Sequence, residues 1–160
     1  MTSGFTILPL FHGSKARFYT VQFDDRSMDE YSIFREVHGV RTHKDFPRLQ
    51  SMISSMLNKH GARAQYFRTK KYENTRPVCR FELGSGSLRL YCWWWDDVVI
   101  IGCGGIKPLE VRKTQEDPWL LDTFTRICYV RDRISSEITL RELNSNPEKA
   151  LNEYNRFDPL

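Results

Sequence analysis

The alternation of apolar and polar positions divides the chain into strand-like and helix-like stretches. Residues 17–23, Arg-Phe-Tyr-Thr-Val-Gln-Phe, combine β-branched and aromatic types at a period near two, which predicts a strand; residues 5–13 suggest another ahead of it. Ser27-Met28-Asp29-Glu30 has capping-box spacing, in which the serine oxygen and the glutamate three residues on satisfy free amides, so a helix is predicted over about 28–38. Asp45-Phe46-Pro47 gives a second start signal. Phe46, Leu49, Met52, Ile53, Met56 and Leu57 then recur at threes and fours until Gly61 stops the pattern. That stripe reads as core packing, and residues 62–77, polar and basic, read as a loop closed by Pro77.

Three apolar runs follow: 78–83, 88–95 and 98–103. Gly84-Ser85-Gly86-Ser87 and Asp96-Asp97 separate them, which predicts an antiparallel meander. Alternation puts Arg80, Glu82 and Arg89 on one face and points Phe81, Leu83, Leu88 and Leu90 at the core, giving the sheet an oily side and a charged side. Gly104-Gly105 allows a change of direction, and the stretch 106–115 brings Lys107, Arg112 and Lys113 back near the strand ends. Asp117-Pro118 opens a helix carrying Leu120, Leu121, Phe124, Ile127, Cys128 and Val130, expected to cover the oily side. Asn146-Pro147-Glu148 starts a short final helix through about Asn155. The expectation is one α+β domain over residues 1–160: an N-terminal strand and two helices, then the meander packed against helices. Extensions lie at about 1–16 and, helical, at about 136–160.

Composition agrees with a folded domain, at 40% hydrophobic and 28% charged residues. No run approaches the roughly 18 apolar residues of a membrane helix, and Met1-Thr2-Ser3-Gly4-Phe5 lacks a signal-peptide layout, which points to the cytosol. Cys79, Cys92, Cys103 and Cys128 form no Cys-x-x-Cys pair and read as buried free thiols. The net charge of +4 is unevenly spread: from Arg63 to Lys113 there are ten Lys and Arg against five Asp and Glu. A phosphate-bearing partner responds to such a local field, although a solvated face has the same composition.

Motifs remove most enzyme classes. There is no P-loop, no His-Glu-x-x-His and no Gly-x-Ser-x-Gly, and no metal or cofactor is expected. Asp96-Asp97 reads as a hairpin turn, and Gly102-Cys103-Gly104-Gly105 as backbone geometry. Among Trp93-Trp94-Trp95, alternation buries either Trp94 or the other two; an exposed Trp94 beside arginines would stack on a base, worth about 1–3 kcal/mol. What remains is the cation set Arg80, Arg89, Lys107, Arg112 and Lys113, with Arg63, Arg68 and Lys70 nearby. Metal-free RNA cleavage needs the ribose 2′-hydroxyl oriented, its proton removed, the phosphorane charge stabilised and the leaving oxygen protonated. Arginine and lysine supply the electrostatic part; Tyr66, Tyr72, Tyr91 and His60 are the candidates for proton transfer.

The text Arg80-Phe81-Glu82-Leu83, a glycine-rich turn, Leu88-Arg89-Leu90-Tyr91, an acidic turn, then Val98-Val99-Ile100-Ile101 and Ile106-Lys107 resembles the strand core of RelE/ParE toxins of toxin-antitoxin systems, in their HigB-like branch. Arg112-Lys113-Thr114-Gln115 resembles that branch's lysine-threonine-glutamine motif before the last helix. The resemblance spans residues 78–120. It implies that Arg89 contacts the scissile phosphate, that Lys107 or Lys113 is a cation at the end of the meander, and that Arg80 is a further RNA contact. It also implies a ribosome-dependent mRNA endoribonuclease neutralised by an antitoxin protein. The alternative is a non-catalytic binding protein of the same fold, as ParE-like members act on DNA gyrase; the blandest reading is an accessory domain whose termini form an oligomer interface.

Overall fold

The computed structural model describes residues 3–68, 78–109, 117–138, 142 and 145–160. The alternating residues at the N-terminus pair as a hairpin, β1 (Phe5–His12) with β2 (Arg17–Phe23). α1 (Glu30–Glu36) and α2 (Phe46–Ser55) follow, α2 continuing as a π-turn (Met56–His60) that stops at Gly61, whose φ of 74° suits a residue without a Cβ. A 3-10 turn (Ala64–Tyr66) leads into β3 (Phe67–Arg68). The meander comprises β4 (Val78–Phe81), β5 (Leu88–Trp95) and β6 (Val98–Ile106), each pair antiparallel. α3 (Pro118–Glu137), α4 (Pro147–Glu153) and β7 (Arg156–Phe157) complete the chain.

Among the described residues the strands form one mixed sheet, ordered β3-β4-β5-β6-β2-β1-β7. Its single parallel junction joins β2 to β6. A parallel pair needs a long crossover, supplied here by both helices and the rest of the meander. The segment ahead of Arg17 and the C-terminal tail belong to this sheet: β1 lies between β2 and β7, and Phe157 stacks on Phe5 with ring centroids 4.7 Å apart.

Two expectations are corrected. The first helix is capped by Asp29, not Ser27: the Asp29 carboxylate accepts from the Ser32 amide at 3.1 Å and from the Thr20 hydroxyl at 2.9 Å. A tertiary partner on β2 thus selects the cap. The sheet also has no oily and charged sides. On one face Tyr91, Trp93, Trp95, Val98 and Ile100 pack under α3; on the other Phe81, Leu88, Leu90, Cys92, Val99 and Ile101 pack under α1 and α2. The near-continuous apolar run of β5 is the mark of a strand buried on both faces. α3 therefore covers the face that bears Arg80 and Arg89, while α1 and α2 cover the one bearing Phe81 and Leu88.

A charge network closes the corner between β2, α1 and α3. Arg26 reaches Glu30 at 2.6 Å and Asp122 at 2.8 Å, and Arg126 reaches Asp25 and Asp122. Glu30 is 1% exposed. Burial pushes its carboxyl above the usual range, opposed in part by Arg26. A raised folded pKa means that the folded state holds this proton more tightly than the unfolded chain, so Glu30 adds stability as pH falls through that pKa. Asp25 runs the other way: hydrogen bonds from Arg126 lower its pKa, and its stabilisation is lost as pH falls through the lowered value. A Glu30→Gln variant cannot take up the proton. It should lose ground to wild type when urea unfolding is moved from neutral to mildly acidic pH, and a constant gap would refute this role.

Candidate nucleic-acid interface

Strand pairing assembles the arginines. Arg68 on β3 is the register partner of Arg80 on β4, and Arg80 is the partner of Tyr91 on β5. Arg89 lies two residues from Tyr91 on the same strand, and successive odd positions of a strand share a face. Phe67 points into the core on the α1–α2 side, which places Arg68 on the same face as Arg80 and Arg89. Arg68 is exposed; Arg80 and Arg89 are half-buried.

The electrostatics around Arg80 are unfavourable in the free protein. Burial, then the charges of Arg89 and Arg68, push Arg80 down to about 10, against weaker support from Tyr91 and Glu82. Its Nη1 is buried without a hydrogen-bond partner. Arg89 is fixed differently, its Nε donating to the Gly86 carbonyl at 3.0 Å. Guanidinium groups crowded on adjacent strands suit a phosphodiester, whose oxygens accept in the fork geometry of arginine and whose charge relieves the mutual repulsion.

Other sequence-predicted residues lie elsewhere. Lys107 follows the end of β6 at the same end of the meander, its amide donating to the Ser87 carbonyl at 2.7 Å. Trp94 is on the opposite face from Arg80 and Arg89, stacked on Phe67 at 4.7 Å, with its Nε1 donating to the Asp96 carbonyl. Arg63 and His60 line a separate polar cleft of about 340 Å³ with Lys15, Lys59, Asp96 and Asp97, at the far end of β5. Tyr66 is half-buried beside β4, its carbonyl accepting from the Glu82 amide. Lys70, Arg112, Lys113 and Tyr72 lie outside the described residues.

No protein-family model, curated protein or solved structure matches this chain.

Among the described proton-transfer candidates, Tyr91 alone is placed by strand register beside Arg80 and Arg89, yet it is 3% exposed and its ring meets Phe124 edge-on. The structure adds a histidine that the sequence pattern did not single out. His43, in the loop before α2, has its Nε2 2.8 Å from the Ser87 hydroxyl, and its Nδ1 accepts the Asp45 amide at 3.0 Å. An accepting Nδ1 puts the proton of the neutral ring on Nε2, from which His43 donates to Ser87, so both ring nitrogens are engaged within the loop. Its role is mechanical. Ser85 joins the cluster by donating to the Asp45 carboxylate and lying 3.1 Å from the Ser87 hydroxyl. Together these groups clasp the turn whose Gly86 carbonyl receives Arg89. No local motif marks the contact of His43 with Ser87, because the two lie 44 residues apart in the chain.

Proposed function

We propose that this chain is a toxin-like, metal-independent mRNA endoribonuclease of the RelE/ParE kind, acting with the ribosome and restrained by an antitoxin, and that it holds RNA phosphates on Arg68, Arg80 and Arg89. The observation that carries this reading is the gathering of Arg68, Arg80 and Arg89 on one face of three adjacent strands, with the pKa of Arg80 pushed down by burial and by the other two charges. After the N-terminal hairpin, the order of two helices, antiparallel meander and helix is compatible with it. In this reading Arg89 contacts the scissile phosphate, and Arg80 and Arg68 hold neighbouring oxygens. Charge that develops on the phosphorane is met by guanidinium groups already in place, without reorganisation at the moment of reaction. Attack by the 2′-hydroxyl leaves a cyclic phosphate and a free 5′-hydroxyl.

The engagement of both ring nitrogens of His43 and the burial of Tyr91 favour a second reading, a RelE/ParE-fold protein that binds RNA or a protein such as DNA gyrase without cutting. Expression from a tight promoter in a bacterial host, beside an Arg89→Ala variant and with mRNA ends mapped, separates the two. Growth arrest with new 5′-hydroxyl ends that the variant abolishes is the expected result. Arrest without cuts would transfer the assignment to the binding protein, and normal growth with folded protein would remove the toxin reading.

A further inference from the structure

Cys79 on β4 and Cys92 on β5 are register partners, and their Sγ atoms lie 3.5 Å apart. Both are buried, at 3% and 0% exposure. Directly opposed residues of an antiparallel pair have Cβ atoms about 4.5–5.5 Å apart, and a disulfide needs about 3.5–4.5 Å. Bond formation therefore asks for a small approach of the two strands at this pair, with rotation of the thiols, and no change of register. Cys103 and Cys128 are placed differently: Cys103 meets the Gly104 carbonyl, and Cys128 is half-buried on α3.

We propose that Cys79 and Cys92 form an oxidation site, at which a peroxide converts the two thiols into a reversible cross-strand disulfide that locks the strand of Arg80 onto the strand of Arg89. Peroxide first takes the Cys79 sulfur, on the strand nearer the sheet edge, to the sulfenic acid; its O–O bond breaks and one water leaves. The Cys92 sulfur then attacks that sulfur. The S–S bond forms, the S–O bond breaks, and the hydroxyl departs with the Cys92 proton as a second water. Two thiols lose two electrons and two protons, and the peroxide is reduced to water. Burial and the neighbouring Cys79 raise the Cys92 thiol well above its ordinary range, so the reaction is slow in the closed sheet and follows local opening of the β3–β4 edge. This site rests on cysteine geometry alone and stands apart from the RNA reading.

The test uses the reduced full-length chain, exposed in native buffer to dilute hydrogen peroxide, then unfolded, alkylated with iodoacetamide and mapped by mass spectrometry. A peptide linking Cys79 to Cys92, lost on treatment with dithiothreitol, is the expected product. The same exposure in urea should scatter links among all four cysteines, because the register is gone. A Cys79→Ser variant should yield no such link while keeping its fold by circular dichroism, and mapping of the wild type stands on its own if that variant fails to fold. The proposal is overturned if native protein gives separately alkylated Cys79 and Cys92, or a Cys79–Cys92 link no more selective than in urea.

Discussion

Alanine in place of Gly104 is expected to destabilise the protein by about 3 kcal/mol, the upper part of the range for forcing extra volume into a packed interior. Gly104 pairs with Leu90 where β6 carries one residue more than β5, the register shifting between Leu90 and Cys92. A Cβ at this position overlaps the Arg89 carbonyl oxygen and comes within 2.8 Å of the Arg89 carbonyl carbon and 2.9 Å of the Leu90 Cα. These are backbone atoms of a central strand, so relief requires moving β5 itself. The Gly104 carbonyl also accepts from the Trp119 Nε1 at 2.8 Å, so the first turn of α3 moves with it. Gly105→Ala is the natural control: its Cβ meets the Trp119 side chain at 3.1 Å, which a shift of that side chain by a few tenths of an ångström relieves. Urea unfolding of the two variants decides the matter. Equal, small losses would show that the bulge is more pliable than this packing implies.

Arg80→Met should move stability and RNA binding in opposite directions. A cation whose pKa is pushed down to about 10 costs stability at every pH at which it stays protonated, and that cost fades only as pH rises through the lowered value. Because Arg80 is half-buried and solvent screens much of the repulsion, the gain on removing the charge is on the order of 1 kcal/mol. Methionine keeps most of the apolar contact of the arginine stem. RNA affinity should fall about tenfold or more at low salt, and the slope of log affinity against log salt should shrink by about 0.7, the share of one phosphate on a single strand. Fluorescence anisotropy across a salt series, beside urea midpoints, reads both quantities. A variant that is less stable yet binds RNA as well as wild type would make Arg80 a structural residue and remove it from the interface.

The two results bear on one another through β5. Arg89 is held at its Nε by the Gly86 carbonyl, its own carbonyl abuts Gly104, and the turn before it is clasped by His43 and Asp45. The Asp45 carboxylate is drawn to Ser85 and makes no cap for α2, although it sits at the capping position. A hydrogen bond that would have stabilised one helix end instead fixes the turn ahead of Arg89.

What the sequence determined by itself is the set of features whose physics is local. The strand at 17–23, the stop of α2 at Gly61, the turns at Gly84–Ser87 and Asp96–Asp97, and the side-chain caps at Asp117 and Asn146 all stand where pattern and turn chemistry put them. Each depends on neighbours within a few residues. Only the tertiary structure decided which side chains share a face and what covers it. β5 is apolar on both sides, so alternation could not say that α3 would lie on the side of Arg80 and Arg89. The choice of Asp29 over Ser27 depends on Thr20 across a strand, and the addition of β7 depends on Phe5 at the other end of the chain. Arg68 and Arg80 meet because β3 pairs with β4, and His43 meets Ser87 because two loops pack together. Such contacts are set by the packing of distant elements, and the order of residues along the chain carries no local signal of them.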